Sequence, residues 1–238
     1  METISPKTYD TYIKALSDIS RAITSDLYIG DILKLVVMVT AKVTGVDICS
    51  LWLVDDEKNP KKRKIRLAAT QAIDPDYVKD RSLSMDEGVV GYVVTTNRPM
   101  QVANVLEEPR FKEKEMAEKL SLVSMLSIPL QTGENEAIGV LNCFTRAPHD
   151  FTDTEVNLLT GVANQASVAI LNARLMVRTR VIEEELQTRK RIDRAKEILS
   201  SRKGINPEAA FRWLQKKSMD TRKTMKEIAE AIILSEDL

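Results

Sequence analysis

The chain of 238 residues is poor in the residue types that build metal centres and disulfide frameworks. It contains one histidine and two cysteines, and aromatic residues make up 5% of it. These numbers are too small for most His/Cys metal sites and for a fold held by disulfides. We therefore expect no metal ligands. The scarcity of aromatic residues also argues against an aromatic-rich stacking surface.

Long apolar runs are also missing from the sequence. No run approaches the roughly 18 apolar residues that a membrane-spanning helix needs, and the first residues show no basic-then-apolar signal pattern. Two unpaired cysteines fit a reducing compartment. These features predict a cytoplasmic protein without a membrane contact.

The charge of the chain is balanced overall but not locally. Lys plus Arg and Asp plus Glu each number 35. The stretch from Leu186 to Lys226 contains 13 basic and four acidic residues, so it carries a net charge of +9 and the remainder carries −9. A solvated helical surface would explain this pattern as well as a binding face does. If nucleic acid is bound, the basic stretch is where we expect it, because the acidic remainder repels phosphate.

Residues up to about 150 alternate short apolar runs with turn signals, which predicts an α+β domain with a mainly antiparallel sheet flanked by helices. We expect an amphipathic helix over Thr8–Asp26 and a second helix capped by Asp31 and ended by Gly45. A short exposed helix is predicted at 109–120. The predicted strands are 46–54, 65–72, 98–104, 124–131 and 137–145, the last two forming a hairpin.

A long helix is predicted after the α+β domain, since no Gly or Pro occurs from Val162 to Lys203. Globular helices rarely reach this length, whereas coiled coils do. Apolar residues recur at spacings of four, seven and four, and we assign residues 171–188 to a coiled-coil linker that forms a homodimer. An ordinary terminal helix packed on its own domain is the alternative. The proposed dimer seam consists of Leu171, Leu175, Ile182 and Leu186.

The C-terminal residues predict a small three-helix module built on the end of the long helix. Gly204 ends that helix, and Asn206 followed by Pro207 starts the next one. Thr224 and Glu227 form a capping box that opens the third helix. In the second helix we expect Ala210, Phe211 and Leu214 to be buried.

Two ordered sets of residues resemble known families. EGVVGYVVTTNRPMQVANVLEEPRF (87–111), SMLSIPL (124–130) and the stretch 138–175 resemble GAF small-molecule sensor domains, which implies a sensor domain over 8–170. The last segment resembles ANTAR domains in the order of Leu186, Arg189, Ile192, Ala195 and the residues that follow. This resemblance implies an ANTAR-like RNA-binding module over 180–238. Together they imply a signal-responsive antitermination regulator that binds hairpins in nascent leader RNA.

RNA binding requires cations on one face of the module to contact phosphates. Arg189, Lys196 and Lys203 are seven residues apart and therefore share a face of the long helix. Arg189 and Lys196 also match the family resemblance, so they are the strongest candidates. The full predicted set of RNA-binding residues is Arg189, Lys196, Arg202, Lys203, Arg212, Lys216, Arg222 and Lys223.

The sensor domain shows no readable ligand and no cofactor motif. Met100, Met125 and Cys143 are candidates for lining a pocket that holds an unknown small-molecule effector, although core filling explains the same residues equally well. We expect no catalytic residues. Two other classes of function stay open: an enzyme like the GAF-type methionine sulfoxide reductases, for which two strand cysteines are a poor set, and a dimeric adaptor that binds a protein.

Overall fold

The computed structural model describes residue 17 and residues 29–55, 57, 59–72, 81–133 and 136–235. The predicted helix over Thr8–Asp26 lies outside these residues, apart from Ser17. The chain divides into two compact units, Met1–Arg174 and Leu175–Leu238. No helix among the described residues is both long and apolar enough to cross a membrane.

The described residues of the first unit form six strands and the helices around them. The strands are β1 (Ile48–Val54), β2 (Lys64–Thr70), β3 (Ser82–Ser84), β4 (Met100–Val102), β5 (Ser124–Gln131) and β6 (Ala137–Thr145). The helices are α1 (Ile29–Thr44), α2 (Gly88–Thr96), α3 (Lys114–Lys119) and α4 (Asp153–Lys203). Helix α4 continues into the second unit.

The strands form one sheet in the order β3-β2-β1-β6-β5-β4, and every neighbouring pair is antiparallel. The central pair is β1 and β6, in which Cys49 lies opposite Cys143. The predicted α+β class with an antiparallel sheet flanked by helices is confirmed. The predicted hairpin has the expected bounds, because a polar turn separates two apolar strands.

Successive side chains of a strand point to opposite faces of the sheet, and each face covers its own core. One core packs α1 and the start of α4 against residues such as Leu126, Leu141 and Cys143. The other packs α2 and α3 against residues such as Trp52, Met125 and Phe144. Because both faces are covered, β5 is buried along nearly its whole length.

Two local predictions in this unit are wrong. Helix α1 starts at Ile29, so Asp31 lies in its first turn rather than at its cap; its carboxylate still interacts favourably with the helix dipole there. The helix predicted at 109–120 is limited to α3, and it is not fully exposed, since two of its own residues, Met116 and Ala117, are buried. Gly45 does end α1, with a positive φ of 74°.

The second unit consists of the end of α4 with α5 (Pro207–Thr221) and α6 (Met225–Leu234). Gly204 ends α4 with a φ of 61°. The Asn206 side chain accepts a hydrogen bond from the Ala209 amide at 2.8 Å, and Pro207 begins α5. The Thr224 hydroxyl and the Glu227 carboxylate complete the capping box of α6. The long helix and the three-helix module are therefore confirmed, whereas pairing of the long helix with a second copy stays a prediction.

The module closes on a small core of Ala195, Leu199, Ala210, Leu214, Ile228 and Ala229. Phe211 does not belong to it, because 41% of the residue is exposed. Ala210 and Leu214 are one turn apart and face α4 and α6, whereas Phe211 points about 100° away from Ala210. The prediction that Phe211 is buried is wrong.

Candidate nucleic-acid interface

The cations of the second unit divide into a paired and an exposed group. Lys196 donates to the Asp193 carboxylate at 2.8 Å, and Arg212 donates to Glu208 at 2.6 Å. Arg202 donates to the Ser235 carbonyl at 2.8 Å. Arg191 forms an ion pair with Glu230. These cations therefore have protein partners that a phosphate would have to displace.

A second group is exposed and forms no ion pair within the residues that the structure describes. It includes two clusters around the end of α5, one on the last turns of that helix and one in the turn to α6. The side chains of both clusters are exposed. The exposed cations are Arg189, Lys190, Lys216, Lys217, Arg222, Lys223 and Lys226.

The side chain of Lys203 takes a different contact. Its ammonium lies 4.4 Å from the centre of the Trp213 ring, a cation–π distance. Trp213 itself is half-buried against the module core. The indole therefore holds the end of α4 against α5, and Lys203 adds charge beside it. The eight predicted RNA-binding residues are thus distributed over the module, and only some are unpaired.

Arg189 and Lys196 meet at a surface groove of about 580 Å³ on the second unit. Val181, Ile192 and the exposed ring of Phe211 contribute apolar surface to the groove. Lys226 reaches the same groove from α6. Acidic side chains also line it, namely Glu184, Glu185 and Asp193, so its charge is balanced. Sequence reasoning missed Phe211 and Lys226 here, because neither shares a helix with Arg189.

The Asp193 carboxylate is held in its ionised form by these neighbours. The hydrogen bond from Lys196 is the main cause that lowers the pKa of Asp193, and the charges of Lys196 and Arg189 add to it. The carboxylate lies three residues before Lys196, a spacing that brings side chains together on a helix. The Asp193 carboxylate therefore partly compensates the charge of Lys196.

The predicted dimer seam is exposed in the single chain. Leu175, Ile182 and Leu186 expose between 51% and 60% of their surface, and Leu171 is half-buried. Within the part of the chain that the structure describes, no side chain covers these large apolar residues. Met176, Val177 and Val181 are exposed on the same stretch of α4.

The first unit encloses a small cavity on the α2 side of the sheet. Its volume is about 30 Å³, the space of a single water molecule. Met125 lines it, together with Trp52, Phe111, Asn142 and Phe144. Of the three predicted pocket residues, Met100 does not line this cavity, and Cys143 points to the opposite face of the sheet, into the core shared with α4.

Two polar side chains that line this cavity, those of Asn142 and Glu113, have partners within the protein. The Ser127 hydroxyl donates to the Asn142 side-chain oxygen at 2.8 Å, and both residues are buried. Glu113 lies at the edge of the cavity and forms an ion pair with Arg81. Burial raises the pKa of Glu113, and the Arg81 guanidinium opposes this rise. A ligand larger than water would have to widen the cavity.

Cys49 and Cys143 are both fully buried on the face that packs against α1 and α4, with their Sγ atoms 3.7 Å apart. Burial raises the pKa of Cys49 well above its usual value, and the neighbouring Cys143 thiol adds to the rise. A reactive cysteine requires the opposite, an accessible thiolate with a lowered pKa. The pair therefore has the properties of small core residues.

We expect both native thiols to be protected from reagents. In native buffer, a disulfide reagent such as Ellman's should label neither cysteine on the timescale of minutes. In urea it should label both, because unfolding exposes them. Rapid labelling of one thiol in the native protein would contradict this burial and would restore a cysteine-based enzyme as a candidate.

Comparison with known proteins matches two families to consecutive parts of the chain. The GAF domain family matches residues 29–170, and the ANTAR domain family matches residues 180–233. The transcriptional regulatory protein PdtaR of Mycobacterium tuberculosis is 42% identical over 52 residues, which are 22% of this chain and 25% of that protein. The chain thus matches about a quarter of the length of this curated relative.

Solved structures similar to this chain include a GAF domain and an enzyme. The GAF domain of an Acinetobacter phosphoenolpyruvate-protein phosphotransferase is 25% identical, with a TM-score of 0.59 over 72% of this chain and 97% of that one. The free methionine-R-sulfoxide reductase of Neisseria meningitidis is 19% identical, with a TM-score of 0.57 over 73% of this chain and 96% of that one. The second likeness concerns the fold alone.

Proposed function

The chain belongs to the GAF domain family over more than half of its length and carries an ANTAR domain after it, and from this architecture we propose that it is a signal-responsive transcription antitermination regulator. The C-terminal module binds hairpins in nascent leader RNA and prevents terminator formation. The GAF domain controls this binding in response to a small-molecule effector whose identity is open. The protein acts in the cytoplasm as a homodimer.

The uneven charge of the chain is the observation that carries this proposal. A net charge of +9 falls between Leu186 and Lys226, and the interior of that module is apolar. The cations are therefore on its surface. Phosphate contacts from such a surface supply most of the sequence-independent affinity for RNA. The likeness to PdtaR, whose name describes a transcriptional regulator, supports the same conclusion.

The exposed cations around the end of α5 are the second part of the proposed RNA surface. Lys216, Arg222 and Lys223 form no ion pair among the described residues, whereas Lys196 has to leave Asp193 before it can bind a phosphate. We propose that these three residues contribute at least as much affinity as the pair Arg189 and Lys196. The paired cations Arg202 and Arg212 contribute less.

A dimer would join two such modules. Each module alone has a small contact surface, and two linked weak contacts gain affinity because the second binds at a high effective concentration. Paired hairpins in one RNA fit this arrangement. The exposed apolar face of α4 supports the dimer, because a partner helix would remove it from water.

A cysteine-based enzyme is the second candidate function. The observation that favours it is the fold shared with a methionine sulfoxide reductase. The buried thiols argue against it. Turnover of free methionine sulfoxide that disappears in a Cys49→Ser/Cys143→Ser variant would support the enzyme. We expect no such turnover in either protein.

The experiment that tests RNA binding is a gel shift with a labelled RNA of two tandem hairpins from a leader region. We expect binding to weaken steeply between about 50 and about 200 mM salt. The Arg189→Ala/Lys196→Ala variant should bind about tenfold or more weakly, with a smaller salt dependence. A Lys216→Ala/Arg222→Ala/Lys223→Ala variant should lose at least as much.

The first unit provides a control variant that loses the same number of positive charges as the Arg189→Ala/Lys196→Ala variant. Lys61 and Lys62 are exposed at a turn between β1 and β2, and their replacement by alanine removes two positive charges from the acidic part of the chain. This variant should bind RNA as the parent does. An equal loss of RNA affinity in this control and in the Arg189→Ala/Lys196→Ala variant would contradict the proposed RNA surface. Absence of any RNA binding at low salt would favour the protein-binding adaptor.

A further inference from the structure

The groove on the second unit has a lining of mixed charge, and this lining does not suit a phosphate. Its volume of about 580 Å³ lies within the range of about 300–1,000 Å³ that small-molecule sites occupy. Three carboxylates line it among the cations, and they belong to Glu184, Glu185 and Asp193. A phosphate in the groove would meet these negative charges at close range, and like charges repel. The lining therefore suits a neutral polar group better than an anion.

Phe211 contributes an aromatic ring to this groove. The second unit contains two aromatic residues, Phe211 and Trp213. Trp213 is half-buried against the module core, and the Lys203 ammonium lies over its ring. Phe211, in contrast, is 41% exposed. Exposed aromatic rings on cationic surfaces are the groups on which the unstacked bases of RNA loops stack.

The carboxylates supply hydrogen-bond acceptors for the edge of such a base. Glu184 and Glu185 are exposed and form no ion pair within the residues that the structure describes, whereas Asp193 accepts a hydrogen bond from Lys196. An ionised carboxylate accepts hydrogen bonds and donates none. Adenine, guanine and cytosine each have an exocyclic amino group that donates, and uracil has no amino group. The two unpaired glutamates therefore favour an amino-bearing base over uracil.

We propose that the groove binds one unstacked, amino-bearing base of an RNA loop. The base stacks on the Phe211 ring, and Glu184 or Glu185 accepts a hydrogen bond from its amino group. The phosphates of the same RNA bind the cations of the module surface. The inference rests on the proposed RNA-binding function and adds the residues that select the base. Phosphate contacts carry no sequence information directly, so a regulator that recognises particular hairpins needs such residues.

Three hairpin RNAs of defined chemistry test this site with the full chain. They share the same tandem stems, and their loops contain adenosine, guanosine and cytidine in the first, uridine alone in the second and abasic nucleotides in the third. The three RNAs present the same number of phosphates, so differences between their dissociation constants report on the bases. The parent should bind the first RNA about tenfold more tightly than the uridine-loop RNA. The abasic-loop RNA should bind at least as weakly as the uridine-loop RNA.

Phe211→Leu tests the stacking contact, because it keeps an apolar side chain and removes the ring. It should weaken binding of the RNA with amino-bearing loops about tenfold and leave binding of the abasic-loop RNA unchanged, a non-additivity that marks direct contact. The salt dependence should stay that of the parent, since a stacked base releases no counterions. Phe211→Trp retains a ring and should bind as the parent does. Met219→Ala is the control, because Met219 is exposed on the same helix outside the groove.

Glu184→Gln/Glu185→Gln tests the base preference separately from overall affinity. The loss of two negative charges should raise the affinity for all three RNAs. The preference for amino-bearing loops over uridine loops should largely disappear, because a glutamine amide donates as well as accepts. Glu183→Gln/Glu197→Gln is the matched control, since both residues are exposed on α4 and do not line the groove. It should raise the affinity in the same way and keep the preference.

The outcomes separate this inference from the function that it rests on. Failure of all three RNAs to bind at low salt would overturn both. Equal binding of the three RNAs by the parent would overturn the base site alone, and this comparison needs no variant that has to fold. A preference unchanged in Phe211→Leu, or retained in Glu184→Gln/Glu185→Gln, would also overturn the site as assigned. A preference that both variants lose and that Phe211→Trp keeps supports the inference.

Discussion

Replacement of Leu214 by alanine is expected to unfold the C-terminal module and to abolish RNA binding by the full chain. Leu214 is fully buried in the centre of the three-helix core. Removing a buried leucine side chain costs about 2–5 kcal/mol, and a core of this size supplies a stability of only about 3–5 kcal/mol. The substitution therefore removes most or all of the free energy of unfolding of the module.

The measurement combines limited proteolysis with the gel shift. In the variant, we expect rapid cleavage after α4, while the GAF domain resists the protease. Met219→Ala is the matched control, because Met219 lies on the same helix and is 74% exposed. That variant should be as resistant and bind as tightly as the parent. A folded, RNA-binding Leu214→Ala variant would show that the module draws its stability from elsewhere.

Gly139→Ala is expected to destabilise the GAF domain by about 3 kcal/mol or more. Gly139 lies on β6 opposite Leu53 in the central strand pair. A Cβ atom there would come within 2.1 Å of the Trp52 carbonyl oxygen. The contact is with backbone, which cannot turn away as a side chain can, so β1 and β6 would have to separate.

A second glycine provides the control for this prediction. Gly161 lies inside helix α4, and a Cβ atom added there meets nothing within 4 Å. Gly161→Ala should stabilise the protein by about 0.5–1 kcal/mol, because alanine favours a helix interior. Urea unfolding followed by tryptophan fluorescence compares the two variants. Equal stability in both would contradict the close approach of β1 and β6.

Local signals in the sequence predicted the ends of helices well. Gly45, Gly204 and the Asn206–Pro207 pair act through the backbone of a few neighbouring residues, so no distant contact can override them. The capping box of Thr224 and Glu227 is local in the same sense. The hairpin of β5 and β6 was predictable because its turn is polar and its strands are apolar.

Contacts between elements that are far apart in the sequence could not be predicted from the hydrophobic pattern. Phe211 has an apolar side chain at a spacing that could face the core, and only the crossing of α4 and α6 decides that it does not. The partner of Arg191 is Glu230, 39 residues away. The sequence cannot tell which face of the sheet Cys143 lies on, because that face depends on how β6 pairs with β1 and β5. The structure places Cys143 in the core shared with α4 and not at the cavity.

Neighbouring residues of β6 lie on opposite faces of the sheet of the GAF domain. Asn142 and Phe144 line the small cavity, while Leu141 and Cys143 between them pack in the core that includes Leu159 and Ile170 of α4. In the proposed dimer, a ligand that shifts the strand works against the same helix that carries the predicted dimer seam. Thermodynamic linkage makes this effect reciprocal. If a ligand changes the affinity between the two copies by some factor, dimerisation changes the affinity for the ligand by the same factor. We therefore expect the result of an effector titration to depend on protein concentration.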